Sequence, residues 1–486
     1  MSSSDPVRYV RVRRLFLRLL AVVYAIAFVS LAVQIVGLYG ADGVLPLRPY
    51  LDALYDRYGA AAYWRFPSVF WALGVADATL VAVCVAGVAA SAALFAGVAP
   101  TLTALACWAT YLSLLSVGRV FLSFQWDILL VEAGFLAVLF APRNLRPGAG
   151  CETPVSRIAL ALVRYLVFRL MFASGVVKLL SNDPSWWQLT ALDFHYFTQP
   201  LPAWTSWYAH HLSADFGRAS VAVMFFVELV VPFFVFGPRR LRLAAFAALV
   251  GLQVVIAATG NYTFFNLLTA VLCVTLLDDG ALPRRGREPP AQAQADARPA
   301  VRSAMLAAVA ALLVVVATAQ MFGRFGYYDS MPWQLRETVR ALAPLRLTSS
   351  YGLFSFMTKR RPEITIEGTT DGQKWKPYAF RYKPGDPAAR PRFVAPHQPR
   401  LDWQMWFAAL SNYRRHGWVV ALQRKLLEGS GPVLALLADD PFDGERPLRV
   451  RATVADYRFT TPDERAKTGH WWVRGPSRPW SPELSR

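Results

Sequence analysis

The sequence predicts a polytopic α-helical membrane protein of about nine transmembrane helices, followed by a β-rich, sandwich-like domain outside the cytoplasm. Three observations predict it. Mean hydropathy is +0.32 and 55% of the 486 residues are hydrophobic, too apolar for a soluble chain of this length. The excess is uneven. It fills residues 15 to 322 and fades after residue 323, which divides the chain into a transmembrane domain, 1–322, and an extracytoplasmic domain, 323–486. Finally, arginines flank alternate apolar runs, as membrane orientation requires.

Taken in order, the candidate spans are 15–37, 69–89, 92–116, 120–141, 155–178, 219–237, 241–259, 262–277 and 302–322. Each is near the roughly 20 residues that cross a bilayer at about 1.5 Å per residue. The first, in "VRRLFLRLLAVVYAIAFVSLAVQIVGLYG", has a basic start, but its apolar run is longer than that of a signal peptide and reads as an uncleaved helix. The stretch 69–117 holds two helices in any of several registers. Arg8, Arg11, Arg13 and Arg14 before the first span predict a cytoplasmic N-terminus. The cytoplasmic connections are then 142–154, with Arg143 and Arg146; 238–240, with Arg239 and Arg240; and 278–301, with Arg284, Arg285, Arg287 and Arg298. The opposite segment 179–218 carries only Arg218, while loop 38–68 balances Arg48, Arg57 and Arg65 against three aspartates. "RRGREPPAQAQADARPAVR" reads as a flexible cytoplasmic linker. The net charge of +19 is thus placed by topology and predicts no nucleic-acid partner; the bilayer is the partner that composition implies.

In the outer domain, "RPEITIEGTTDGQKWKPYAFRYK" has two alternating runs about an Asp-Gly turn, a predicted hairpin. "LDWQMWFAALSNY" and "GWVVALQRKLLEG" have helical spacing, the second ending at Gly429, and "PLRVRATVADYRFT" reads as a further strand. Cys84, Cys107 and Cys273 fall in spans, Cys151 falls on a loop and the outer domain has no cysteine, which excludes a disulfide scaffold.

Ionisable residues inside spans are the strongest functional pointers, because each costs about 3 kcal/mol or more if unpaired near the bilayer centre. Asp127 and Glu132 are five residues apart on the fourth span and point roughly 140° from each other. Arg164 and Arg169 lie on the fifth span and Glu228 on the sixth. Asp127 or Glu228 is expected to pair with Arg164, Arg169 or Lys178; alternatively the group lines a polar cavity that Asn261 and Asn266 join. Lys178 ends the fifth span and opens onto "SNDPSWWQLTALDFHYFTQPLP". A lysine there snorkels to headgroups, or serves as a base if desolvated. Trp186, Trp187, Trp204 and Trp207 read as an outer aromatic belt or as a cover over a substrate. His195, His210 and His211 lack partners at a ligand spacing, so the prediction is no metal and no cofactor.

"FLSFQWDILLVEAGFLAVLFAP" (121–142), "RLMFASGVVKLLSNDPSWWQLTALDFHYFTQPLP" (169–202), "SSYGLFSFMTKRRPEITIEGTTDG" (349–372) and "PHQPRLDWQMWFAAL" (396–410) resemble the lipase maturation factor family, in the same order through nearly the whole chain. The resemblance implies a multi-pass membrane protein with a C-terminal domain on the extracytoplasmic side. It also implies a chaperone-like role in the folding of an exported, lipase-like client protein. The Ala-, Arg- and Gly-rich composition places the chain in a bacterial cell membrane; a eukaryotic member would sit in the endoplasmic reticulum. Client-binding candidates are Trp186, Trp187, His195, Tyr196, Trp403, Trp471 and Trp472, with Trp406 and Trp480 beside them.

The phrase "FASGVVKL" followed by a tryptophan also resembles, more distantly, the membrane domain of vitamin K-dependent carboxylase. There the lysine of the phrase removes a proton from a reduced quinone, and the role carried over falls on Lys178. This gives the alternative reading, a membrane enzyme with Lys178 as a base on a quinone-like or lipid substrate. No GxSxG elbow, HExxH or Gly-rich phosphate loop is present, so the chain is not read as a lipase itself.

Overall fold

Apolar helices of bilayer length dominate the first two thirds of the chain. The computed structural model describes residues 8–143, 145, 155–283 and 300–486; Cys151, Arg146 and the linker arginines lie outside them. Among the described residues seven helices are long and apolar enough to cross a membrane: Val10–Ala32, Asp77–Ala96, Pro100–Val117, Arg157–Leu180, Ala214–Phe236, Arg239–Thr259 and Ala304–Tyr327. Two shorter apolar helices, Gln125–Phe140 and Phe265–Leu276, lie in sequence where the fourth and eighth spans are expected.

The boundaries follow local chemistry. Ser156 and Ser213 cap the fifth and sixth spans by accepting from the N–H of Ala159 and Phe216, each at 3.3 Å. Gly97, left-handed at φ +80°, ends the second span, and Pro100 opens the third at its first turn. This corrects the expected 69–89 and 92–116 to 77–96 and 100–117, since glycine and proline, not hydropathy, set the break. Residues 70–73 instead form a separate short helix. The fourth helix starts at Gln125 rather than residue 120, because residues 119–122 make a 3-10 turn entered through Arg119 at φ +44°.

Contacts at the two ends of the bundle show the alternation of the chain. At one end Asp279 accepts from the N–H of Val10 (2.9 Å) and Val12 (3.0 Å), serving donors that the first helical turn leaves open. Arg239 pairs with Asp278 there (2.7 Å), Arg18 donates to the Phe95 carbonyl (3.2 Å) and Thr101 to that of Pro142 (3.0 Å). At the other end the Ala41 N–H meets Asp77 (2.9 Å), the Val69 N–H meets Ser113 (2.7 Å) and Ser206 donates to the Thr259 carbonyl (2.7 Å).

The C-terminal region carries one antiparallel sheet of six strands in the order β2-β1-β3-β4, with β5 and β6 also on β3. They are β1 (Arg361–Thr369), β2 (Lys376–Pro377), β3 (Arg449–Phe459), β4 (Trp472–Arg474), β5 (Arg478–Pro479) and β6 (Leu484–Ser485). Arg361 faces Tyr457 and Thr369 faces Arg449. The β1–β2 hairpin turns as predicted, with Gly372 at φ +73° and Asp371 accepting from the N–H of Gln373 (2.8 Å) and Lys374 (2.7 Å). A second facing sheet, which the sandwich-like expectation required, is replaced by helices. Arg400–Ala409 packs on β1 and Gly417–Leu427 on β3, so tryptophan-bearing helices fill the space a second sheet would occupy. The core is continuous from the membrane helices into this region: Trp126 meets Trp403 at a ring separation of 4.7 Å.

Candidate functional site

Every acidic side chain expected inside the bundle has a basic partner, and two of the three partnerships engage the C-terminal region. Asp127, in the first turn of the fourth helix, meets Arg400, in the first turn of the C-terminal helix Arg400–Ala409; both are fully buried. The guanidinium donates to the two carboxylate oxygens at 2.9 and 3.0 Å and to the Phe121 carbonyl at 2.6 Å, while the Tyr111 hydroxyl donates to Asp127 at 2.5 Å. This corrects the expectation that Asp127 finds its partner among Arg164, Arg169 and Lys178. One turn further on, Glu132 binds Arg169 and accepts from the Tyr351 hydroxyl at 2.6 Å; Arg169 also donates to the Ser349 carbonyl at 2.8 Å. Among the described residues no acid pairs with Arg164: it donates twice to the Thr275 carbonyl (2.9 and 2.8 Å) and lies over the Tyr9 ring. Asn266 donates to Gln253 at 2.8 Å, also inside the bundle.

Lys178 is buried, not snorkelling. Its ammonium donates to Glu228 at 2.6 Å and to the Ser174 carbonyl at 3.2 Å, and sits 5.5 Å from the Trp186 ring centre. A general base needs a lone pair turned towards its substrate. Here the nitrogen is a donor to a carboxylate and ties the fifth span to the sixth.

The aromatic segment after Lys178 is mostly structural. Trp186 is buried and donates to the Phe354 carbonyl (3.1 Å), while Trp187 is 61% exposed. Tyr196 is buried. His195 lies beside Tyr262: the Tyr262 hydroxyl donates to Gln199 (2.9 Å), so the His195 Nε2–H donates to Tyr262 (3.1 Å). Burial pushes the His195 imidazole down to about 4, with the Lys178 ammonium adding to the effect, so the ring is neutral near pH 7. Asn261 is a four-bond staple. It donates to the carbonyls of Leu201 (3.1 Å) and Arg392 (2.8 Å), and accepts from the N–H of Val394 (2.7 Å) and Ala395 (3.1 Å).

In the C-terminal region Trp403, Trp406, Trp471 and Trp472 are buried, which corrects the idea that they offer open faces. Trp403 packs on Trp126, Trp406 donates to the Thr198 carbonyl (2.8 Å), and Trp472 lies 4.4 Å from Phe459. Trp480 is half-buried and donates to the Ser411 carbonyl (3.1 Å). Beneath Trp472 runs a buried charge group that sequence reading missed. Glu363 binds Arg361 (2.7 Å) and Lys383 (3.0 Å), and Arg361 reaches the carbonyls of Phe197 and Pro200, both at 2.9 Å. Burial pulls the Arg361 guanidinium below its ordinary value and Glu363 opposes it. The usable signal was the alternation of β1, which puts Arg361 and Glu363 on one face. Among the described residues, no cluster of three His, Cys, Asp or Glu side chains has the shape of a metal site.

Residues 11–284 match the family model of the lipase maturation factor transmembrane domain, and residues 347–482 match that of the lipase maturation factor C-terminal domain. The chain belongs to the lipase maturation factor family. This family member is 38% identical to lipase maturation factor 2 of Homo sapiens, across 95% of this chain and 81% of that protein. It is 36% identical to lipase maturation factor 2 of Gallus gallus (99% and 82% covered) and 34% identical to lipase maturation factor 1 of Bos taurus (98% and 89% covered). No solved structure matches. In this maturation factor the buried pairs Asp127–Arg400 and Glu132–Arg169–Tyr351 join the two matched domains into one body.

Proposed function

We propose that this multi-pass membrane protein assists an exported, lipase-like client to reach its active state. Its N-terminus would be cytoplasmic, with residues 323–486 on the extracytoplasmic face of a bacterial cell membrane, or of the endoplasmic reticulum in a eukaryote. The observation that carries the reading is the match of both domains, in order, to proteins named lipase maturation factors. A client would meet the apolar side chains left open on the outer side, Trp187, Phe356, Phe407 and Leu410. The ion pair of Lys178 with Glu228 favours this reading over a membrane enzyme with a lysine base.

The test is co-expression of a secreted lipase with the parent chain, with Lys178→Arg, or with neither, in cells lacking the chain. Lipase activity per molecule of secreted lipase is the readout. The parent should raise it, and Lys178→Arg should keep most of the effect, because a guanidinium also pairs with Glu228 but cannot act as a base. Equal activity with and without the parent chain would overturn the maturation role. A folded but inactive Lys178→Arg would return the choice to the enzyme reading.

A further inference from the structure

The seventh span, Arg239–Thr259, has 21 residues. At about 1.5 Å per residue it matches a hydrocarbon core of about 30 Å, which puts Thr259 at the membrane surface. Val254 and Val255, just below, are 61% and 60% exposed, as lipid-facing side chains are. The short helix Trp204–His210 is fastened to this end: Thr205 donates to the Ala258 carbonyl (2.6 Å) and Ser206 to that of Thr259 (2.7 Å). Trp204, Trp207 and Tyr208 therefore stand at headgroup level, where indoles and phenols partition.

Two arginines of the C-terminal region reach this level and stack on these rings. The Arg465 guanidinium lies 3.7 Å from the Trp471 ring centre, 4.6 Å from Trp207 and 5.5 Å from Tyr208, and donates to the Tyr208 hydroxyl at 3.2 Å. Arg390 lies 4.7 Å from Trp204 and 5.9 Å from the same Trp471. Two cations thus share one ring. Among the described residues neither has a carboxylate within 4.0 Å: Glu464, next to Arg465 in the chain, is held by both Arg458 nitrogens at 2.7 and 2.6 Å, and Asp386, four residues before Arg390, accepts from the Ala388 N–H at 2.9 Å. Aromatic faces offset only part of the cost of two neighbouring unpaired charges, about 0.5–2 kcal/mol for each stacked cation. Arg390 is exposed and most donors of both forks are unused.

We propose that Arg390 and Arg465, held on Trp204, Trp207, Tyr208 and Trp471, bind the headgroup phosphate of an anionic phospholipid in the leaflet next to the C-terminal domain. The planar fork of guanidinium fits phosphate oxygens in pairs. Two unbalanced positive charges select a net-negative headgroup over a choline lipid, whose own cation cancels its phosphate. The level of the site, at the end of a lipid-facing helix, selects a lipid over an acidic client. This contact goes beyond client maturation: it anchors the edge of the outer domain to the bilayer surface.

The experiment titrates the full purified chain in mild detergent with phosphatidylglycerol, phosphatidylcholine, inorganic phosphate or a glutamate-rich peptide, and follows melting and lipid retention by native mass spectrometry. Phosphatidylglycerol should bind and raise the melting temperature; phosphatidylcholine and phosphate should do neither at the same concentration. Arg390→Gln should weaken phosphatidylglycerol by roughly tenfold, and Arg390→Gln with Arg465→Gln by more, while Arg390→Lys should weaken it less than Arg390→Gln. Arg390→Gln lies on an exposed loop and keeps the test decisive if Arg465→Gln does not fold. Unchanged phosphatidylglycerol affinity in Arg390→Gln overturns the proposal. So does stabilisation of the parent by free phosphate or by the acidic peptide that matches that by the lipid.

Discussion

Arg400 and Asp127 are separated by 273 positions in sequence and by 2.9 Å in space, with both side chains closed off from solvent. Forming such a pair contributes little net stability, because desolvation cancels most of the attraction, but removing one partner strands a buried charge at a cost of about 3–5 kcal/mol. Asp127→Ala and Arg400→Met should each lower stability by that order, and the double variant Asp127→Leu/Arg400→Met should lose clearly less than the sum of the two singles. Denaturant melts of the detergent-solubilised chain measure all three. Single variants that melt like the parent would mean the pair is solvated. The sequence made the need for a partner legible at Asp127, Glu132 and Glu228, since a carboxylate in an apolar run must be neutralised. It did not make Arg400 legible. Arg400 lies in a segment of water-soluble composition, and composition reports the solvent a segment tolerates, not the surface it docks on. Lys178–Glu228 was within reach because both residues sit in neighbouring apolar runs.

At the scale of elements, hydropathy located the helices and punctuation located their ends. The first and second spans lie so close that Gly87 touches the Phe28 ring: a Cβ added there would stand 2.4 to 2.5 Å from three ring atoms. The same first span sets the Tyr24 hydroxyl against Gly134 of the fourth helix, where a Cβ would meet it at 1.8 Å. Small residues of this kind let membrane helices approach where no hydrophobic effect draws them together. Gly87→Ala forces a fully buried ring to shift and should cost about 1–3 kcal/mol, the usual range for overpacking. Phe28→Leu in the same chain should restore part of the loss by removing the colliding atoms. Thermal melting of the two variants checks this, and a Gly87→Ala protein as stable as the parent would show that the helices have room to part. No spacing rule in the sequence distinguishes Gly87 from the other small residues of its helix. Its role follows only from the ring opposite.

At the scale of the whole molecule, the composition changes near residue 323 but the packing does not. Ser30 accepts from the Gln398 N–H (2.8 Å), Gln34 from the Arg400 N–H (2.9 Å), and Trp207 donates to the Thr460 carbonyl (2.9 Å), so the C-terminal region is seated on one end of the bundle along its width. The seat decides the orientation of everything else. Asp279 holds the start of the first span at the far end, with Arg239 on Asp278 beside it. An odd number of crossings therefore separates the arginine-flanked end from the C-terminal domain. In the orientation proposed above, the positive-inside rule would put the arginine-rich end in the cytoplasm. Cysteine labelling tests this directly: Cys84, Cys107 and Cys273 are buried, and Cys151 follows Phe140 and precedes Arg157 in the sequence, so in the proposed topology it would report on the arginine-flanked end. In intact cells an impermeant thiol reagent should leave Cys151 unlabelled until the membrane is opened. In a Cys151→Ser background, Ser485→Cys on β6 should label from outside without permeabilisation. Labelling of both from outside would place an even number of crossings between them and undo the eighth or ninth span. The reverse pattern, Cys151 open and Ser485→Cys shielded, would keep the fold and invert it in the membrane, moving the C-terminal domain away from any exported client.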